Sequence, residues 1–332
     1  VMGTIARTVS YPWSLAFYSC DPHLGGVNPE PFSENPMGDG KTMQSVQFEA
    51  PSTVEEAVEL LCDAKGDARI LAGGTDLLVQ LRAQMIDPGL IVDIKKIDET
   101  RSFVRHEDGG YTIGAAYAGA EATERNDITK DWPGVVEGWD LIGSTQIQGR
   151  ASLGGNLCNA SPAADSVPAM IVAGMTANIA GPKGRRTIPV EDVPVSPGKT
   201  SLAEGEFIVS FNLPPRPAGG GDAYLRLIPR TEMDIAVVGC GVALVLDDSG
   251  TVTSAKVSLG AVSAKVLTVD DAAKAIIGTK LDDDAMAKLD AACQAAATPI
   301  NDKRGTIEYR TKIAGVLGRR AAKIAADRAR SQ

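Results

Sequence analysis

Two pairs of adjacent glycines limit what this chain can become. The first lies in Ile70-Leu71-Ala72-Gly73-Gly74-Thr75-Asp76-Leu77-Leu78, where a strand-like run passes into two glycines and then into a helical run. The second lies in Ala151-Ser152-Leu153-Gly154-Gly155-Asn156-Leu157-Cys158-Asn159-Ala160-Ser161-Pro162-Ala163-Ala164-Asp165, a small and polar stretch that leads into an apolar helix. Glycine has no Cβ, so its backbone reaches positive φ and approaches a ligand closely. The N–H groups freed in such a turn and at a helix start point outward as an anion site. A tight turn capped by Thr75 or Asp76 explains the first pair taken alone. A helix capped by Ser161, with Pro162 at its first position, explains part of the second. Capping leaves Gly154, Gly155, Asn156, Asn159 and Asp165 without a purpose. Two loops of amides, hydroxyls (Thr75, Ser152, Ser161) and one carboxylate match what the phosphates, ribose and base edges of a nucleotide require.

Composition narrows the chemistry further. The 332 residues carry 33 Lys and Arg against 42 Asp and Glu, a net charge of −9. That balance argues against nucleic acid as the main partner, because a phosphate backbone needs a basic face. No apolar run approaches the roughly 20 residues that span a bilayer. The five cysteines (Cys20, Cys62, Cys158, Cys240, Cys293) are scattered without a CxxC pair, and His23 and His106 are the two histidines. Neither a disulfide framework nor a zinc or cysteine-bound iron–sulfur site is supported, and a reducing, cytoplasmic setting is the simple expectation. Cys158 sits inside the second glycine stretch but has no evident histidine partner. Gly239-Cys240-Gly241 begins like a dinucleotide fingerprint, yet Leu244 stands at the third glycine position and Val242–Leu246 continues as strand. Walker, HExxH and GxSxG motifs are absent.

The order of elements predicts an α+β architecture. Residues 1–42, with five of the 19 prolines, read as an irregular tail or an arm on a partner, and Met43 as a candidate start. Strand 46–48, helix 54–64, strand 69–72, helix 77–84 and strand 90–94 make a βαβ pattern. Strands follow at 103–105 and 111–115, then helices around 120–126, 132–141 and 167–174. Strands at 177–180 and 207–213 flank a long loop. The Pro214–Gly221 stretch is the clearest linker. Beyond it come a meander (223–228, 235–246, 252–261) and Ala-rich helices at 269–277, 284–296 and 309–326. The domains expected are 43–215, in two lobes divided near residue 100, and 220–330. Arg230 and Asp234 read as an ion pair at a turn. The basic cluster of Arg310, Lys312, Arg319, Arg320, Lys323, Arg328 and Arg330 reads as a solvated helix face.

The two glycine stretches, together with Arg230, Met233-Asp234-Ile235-Ala236 and Glu308-Tyr309-Arg310-Thr311-Lys312, resemble the medium, FAD-binding subunit of molybdenum hydroxylases of the xanthine dehydrogenase and carbon monoxide dehydrogenase type. The resemblance runs from about Met43 to the end. It implies a two-lobed FAD-binding domain of the vanillyl-alcohol-oxidase (PCMH) type followed by a small α+β C-terminal domain. It further implies that Ala72, Gly73, Gly74, Thr75, Asp76 and Leu77 hold the FAD pyrophosphate. Ser152, Gly154, Gly155 and Asn156 would approach the pyrophosphate or flavin, and Asn159, Ser161 and Asp165 the adenosine and ribose side. No catalytic side chain and no metal ligand is expected in this chain. The partners implied are a small subunit with two [2Fe–2S] clusters and a large molybdopterin subunit, assembled as a dimer of heterotrimers. Electrons would pass from the clusters through FAD to NAD+, a quinone or O2. Carbon monoxide enzymes typically carry AGGHS where this chain has Ala72-Gly73-Gly74-Thr75-Asp76, which favours an organic substrate for the assembly. The rival expectation is a self-contained FAD-dependent oxidase of the same fold, acting on an alcohol or amine.

Overall fold

The computed structural model describes residues 46–331, so the expectation for residues 1–42 lies outside the described residues. Strands β1 (Gln47–Glu49), β2 (Ala68–Leu71) and β3 (Leu90–Asp93) form a parallel sheet in the order β1-β3-β2. Helices α1 (Val54–Asp63) and α2 (Leu77–Arg82) make the two crossovers. Helix α1 starts at Thr53 because a capping box satisfies its first donors. The Thr53 hydroxyl accepts from the Glu56 N–H, and the Glu56 carboxylate accepts from the Ser52 and Thr53 N–H groups. Val54, Ala57 and Leu61 then pack with Val92 and Ile94 into a small core. The predicted βαβ unit is present, with Leu71 paired to Asp93 in parallel register. Helix α2 departs from the usual crossover, since it buries none of its residues.

A second, antiparallel sheet contains β4 (Phe103–Arg105), β5 (Tyr111–Gly114), β6 (Thr176–Gly181) and β7 (Gly184–Pro189). After a hairpin of β8 (Pro194–Ser196) and β9 (Lys199–Thr200) comes β10 (Phe207–Leu213), which sits at the centre of the order β4-β5-β10-β6-β7. The long loop expected before residue 207 thus contains strand β7 and the β8–β9 hairpin. Strand β7 escaped the hydrophobic pattern because it is an edge whose charged residues pair outward, Arg185 with Glu99 and Arg186 with Glu206.

Seven short helices cover this sheet: α3 (Asp98–Arg101), α4 (Gly119–Thr123), α5 (Asn126–Asp131), α6 (Pro133–Asp140), α7 (Thr145–Gln148), α8 (Leu153–Cys158) and α9 (Ser166–Val172). Trp139, Tyr111, Phe211, Leu153 and Met170 are fully buried among them. The second glycine stretch, read as a loop, is helical over α8 because the Ser152 hydroxyl caps it by accepting from the Gly155 N–H at 3.2 Å. Helix α9 begins within one residue of its expected start. Ser161 does not cap it, since its hydroxyl accepts from the Ala163 N–H in a local turn and Asp165 occupies the cap position.

The C-terminal layer is an antiparallel sheet of β11 (Gly220–Leu227), β12 (Val238–Leu246), β13 (Val252–Gly260) and β14 (Leu267–Thr268), paired in sequence order. Helices α10 (Asp270–Ile276), α11 (Asp283–Ala296) and α12 (Ile307–Arg330) pack on one face. The alanine stripe Ala314, Ala321, Ala325 and Ala329 lets α12 lie close to the sheet. The basic cluster is not uniformly solvated. Arg310 is 4% exposed and donates to the Val237 and Ala261 carbonyls and to Asp302. Arg328 reaches Glu137 of α6 and the Asp222 carbonyl. A methionine at position 310 would take this donor from the Val237 and Ala261 carbonyls and leave the partly exposed Asp302 with only Arg304 nearby. Arg310→Met is therefore expected to lower stability by about 2 kcal/mol, the cost of leaving buried carbonyls without a donor, measured by urea unfolding.

Candidate functional site

The cleft is built where the first glycine turn meets the second glycine segment. The Ala72 carbonyl accepts from the Lys95 ammonium at 3.0 Å, and Lys95 is itself held by Asp93 at 2.7 Å. Because the C=O and N–H of a trans peptide point oppositely, pinning that carbonyl turns the Gly73 N–H away from Lys95. Gly74 follows at φ +81°, a conformation that a residue with a Cβ rarely adopts. The N–H groups of Gly73, Gly74, Thr75 and Asp76 find no acceptor among the described residues. Backbone donors without partners need water or a ligand.

The second segment behaves differently, for its donors are used internally. The Gly154 N–H donates to the Ala115 carbonyl, the Asn156 N–H to the Ser152 carbonyl and the Asn159 N–H to the Gly155 carbonyl. The four glycines therefore divide their work. A Cβ on Gly73 would land on the Arg150 carbonyl, and one on Gly154 would lie 2.5 Å from the Ala115 carbonyl oxygen, so these two let segments of backbone interlock. Gly74 supplies the turn. A Cβ on Gly155 meets only the Ser152 hydroxyl, at 3.3 Å. Gly155 is the one whose bare face opens on the cleft.

The two segments enclose a cleft of about 880 Å³ lined by Ala72–Leu77, Gly154–Asn156, Asn159, Ser161 and Asp165, and, at its rim, by Met233, Asp234 and Ile235. Every residue singled out from the two glycine motifs lines it. The side chains are not equally available. Asp76 accepts from the Gln80 amide, which also reaches the Asn159 side-chain oxygen at 3.4 Å, so Gln80 bridges the two segments. Asn156 accepts from the Ser166 hydroxyl at 2.7 Å. Asp165 accepts from the Tyr224 hydroxyl at 2.9 Å and from Arg226 at 2.7 Å. Burial pushes the Asp165 carboxyl up to about 6 against the pull of Arg226 and Tyr224. Burial likewise pushes the Cys158 thiol up to about 12, which keeps it protonated and unreactive.

Several participants were not found from sequence. Gln80 stands four residues after Asp76, a helical spacing that was a usable signal. Lys95, Arg226 and Tyr224 carry no motif. Met233 and Ile235 stand about half exposed at the rim, on the turn closed by the expected Arg230–Asp234 pair at 3.2 Å. Arg304 joins the same Asp234 carboxylate at 3.3 Å.

This donor set fits a dinucleotide. The unpaired N–H groups of Gly73–Asp76 suit a pyrophosphate, and the bare Gly155 face suits a flat ring or sugar. No histidine lines the cleft among the described residues.

Residues 44–216 match the family model for the FAD binding domain in molybdopterin dehydrogenase, and residues 223–325 match that for the CO dehydrogenase flavoprotein C-terminal domain. The carbon monoxide dehydrogenase medium chain of Afipia carboxidovorans is 32% identical over 287 residues, covering 86% of this chain and 99% of that one. The xanthine dehydrogenase FAD-binding subunit of Escherichia coli O157:H7 is 33% identical over 202 residues, 60% of this chain and 69% of that one. Among solved structures, reconstituted CO dehydrogenase from Oligotropha carboxidovorans superposes with a TM-score of 0.82 at 31% identity, covering 86% of this chain and 98% of that one.

The division among the glycines has a direct test by urea unfolding. Gly73→Ala is expected to cost about 1–3 kcal/mol by forcing two backbones apart. Gly155→Ala, on a helix with an open face, is expected to change stability by no more than about 1 kcal/mol, in the stabilising direction.

Proposed function

The chain belongs to the FAD-binding flavoprotein family of the molybdopterin dehydrogenases, and from that membership we propose that it relays electrons from the [2Fe–2S] clusters of a partner subunit, through FAD, to NAD+, a quinone or O2. It is the flavoprotein component of an oxidoreductase, and FAD is its own cofactor. In this reading a small iron–sulfur subunit and a large molybdopterin subunit complete a dimer of heterotrimers in the cytoplasm, and the substrate, an organic one, is hydroxylated on the large subunit. The medium-chain and FAD-subunit names of the relatives support a multi-subunit setting. No helix among the described residues is long and apolar enough to cross a membrane.

One observation carries the site assignment: the N–H groups from Gly73 to Asp76, without an acceptor among the described residues, line a cleft whose opposite wall, Gly154–Asn156, has used its backbone donors internally. The negative pyrophosphate of FAD then belongs on Ala72–Leu77, where donors wait, and not on Gly154–Asn156. Gly155 with Ser152 and Asn156 offers a bare surface for the ring or the linking sugar. Asn159, Ser161 and Asp165 serve the adenosine and ribose side. Each Asp165 oxygen holds one internal donor and keeps a further lone pair for a ribose hydroxyl. The bound flavin supplies reversible electron transfer, while the chain binds, orients and shields it. A self-contained oxidase would need an acid–base residue facing the flavin. The Cys158 thiol is held protonated, and the family membership supports the electron-relay reading over the oxidase.

Purification of the chain, alone and with an iron–sulfur partner, tests the reading. A flavin absorbance spectrum together with capture of that partner is the expected result. A chain that takes up no FAD and binds no iron–sulfur protein overturns it. Gly155→Val should fold yet lose FAD affinity by roughly tenfold or more, since a branched side chain fills the face left for the ligand. Equilibrium titration with FAD measures this.

A further inference from the structure

Helix α9 starts beneath the cleft, and the C-terminal sheet grips that start from several sides. Tyr224 and Arg226 on β11 donate to the two Asp165 oxygens, and the nitrogen that Arg226 uses, Nη1, also reaches the Leu141 carbonyl at 2.8 Å. At the end of β13, the Ala261 N–H donates to the Pro162 carbonyl at 2.7 Å. Glycines clear the way for these contacts. A Cβ on Gly239 would sit 2.6 Å from the Tyr224 hydroxyl oxygen, one on Gly241 2.7 Å from the Pro168 carbonyl oxygen, and one on Gly138 of α6 3.0 Å from the Asp165 carbonyl oxygen. The Gly239-Cys240-Gly241 motif that failed as a dinucleotide fingerprint thus has a packing purpose. It lets β12 accept α9 and the Tyr224 phenol.

The grip continues into the cleft wall. Ser166, next to Asp165 and fully buried, donates its hydroxyl to Asn156 on α8. Asn156 follows Gly155, the open-faced glycine. A chain of contacts therefore runs from β11 through Asp165 and Ser166 to the surface that faces the ligand.

We infer that Arg226 and Tyr224, in the C-terminal domain, are positioning residues of the cofactor cleft, acting through Asp165 and Ser166 on Asn156. The inference rests on the FAD reading above and adds to it that the C-terminal domain is part of the cofactor site. Tyr224 is 2% exposed and the Arg226 side chain 5%, so the clamp is shielded from solvent screening. The groups facing the Asp165 carboxylate are these two from β11. Strand β12 adds the Cys240 thiol near the Tyr224 hydroxyl, α6 brings the Glu137 carboxylate to the Tyr224 N–H at 3.0 Å and the Gly138 backbone to Asp165, and α8 and β13 present the neutral Asn156 amide and the Ala261 N–H. The ionised carboxylate is the form both donors favour. As pH falls through about 6 it takes up a proton, and the clamp loosens.

FAD titration of the full chain across pH, for wild type and for Arg226→Lys, Arg226→Met and Tyr224→Phe, tests the inference. Arg226→Met should weaken FAD binding roughly tenfold, the loss of one hydrogen bond to a charged group. Arg226→Lys should recover most of it, because a single donor nitrogen makes both bonds of the clamp. In wild type, affinity should fall as pH drops through about 6. Tyr224→Phe keeps the ring and removes one donor to the carboxylate, so it should move that midpoint to higher pH. Wild-type FAD affinity and an unmoved midpoint in both Arg226→Met and Tyr224→Phe would overturn the positioning role and leave the FAD reading intact. Wild type that binds no FAD at any pH overturns both.

Discussion

The Arg226–Asp165 ion pair is the point at which the parts of the molecule meet. Taking two charges out of water costs several kcal/mol per ion, and attraction repays this only where geometry and further hydrogen bonds are good. Here Tyr224 and the Leu141 carbonyl complete the set, so the pair holds β11, the end of α6 and the start of α9 in one arrangement. Ser166, next to Asp165 in the chain, in turn donates to Asn156 of α8.

The cleft is built before any ligand arrives. Its two walls interlock through backbone, Gly73 against Arg150 and Gly154 against Ala115, and the Gln80 side chain bridges them near the mouth. Lys95 sets the orientation of the first turn by holding one carbonyl. Pre-organisation of this kind lowers the ordering cost of binding, because less of the site has to be fixed when a ligand enters. It also leaves the N–H groups of Gly73 to Asp76 without an acceptor among the described residues.

Much of this was legible in the residues. The βαβ unit, the meander and the C-terminal helices follow from apolar periodicity and turn residues, and the structure moves their ends by only a few positions. The glycine motifs located the cleft. Four readings failed, wholly or in part, for identifiable reasons. Strand β7 is polar on an edge, where no core imposes alternation. Helix α8 contains two glycines, which weaken helix propensity, yet the Ser152 cap and the packing of Leu153 and Leu157 override it. Ser161 has the residue type of a cap, but its hydroxyl closes a local turn four residues before the cap position at Asp165. The basic C-terminal cluster divides because Arg310 and Arg328 meet carbonyls and carboxylates distant in the chain.

By itself the sequence determined which backbone segments lack side chains, where the chain turns, and that cysteine and histidine chemistry is scarce. Those are local properties, set by the presence of a Cβ and by the period of apolar residues. Only the tertiary structure decided which glycine faces another backbone and which opens on the cleft, and which amides find no acceptor among the described residues. It also decided that Asp165 answers to Arg226 and Tyr224, residues about sixty positions away. Hydrogen-bond partners are chosen by proximity in space, and a carboxylate looks the same in the sequence whether its neighbour is water, a sugar or a buried guanidinium.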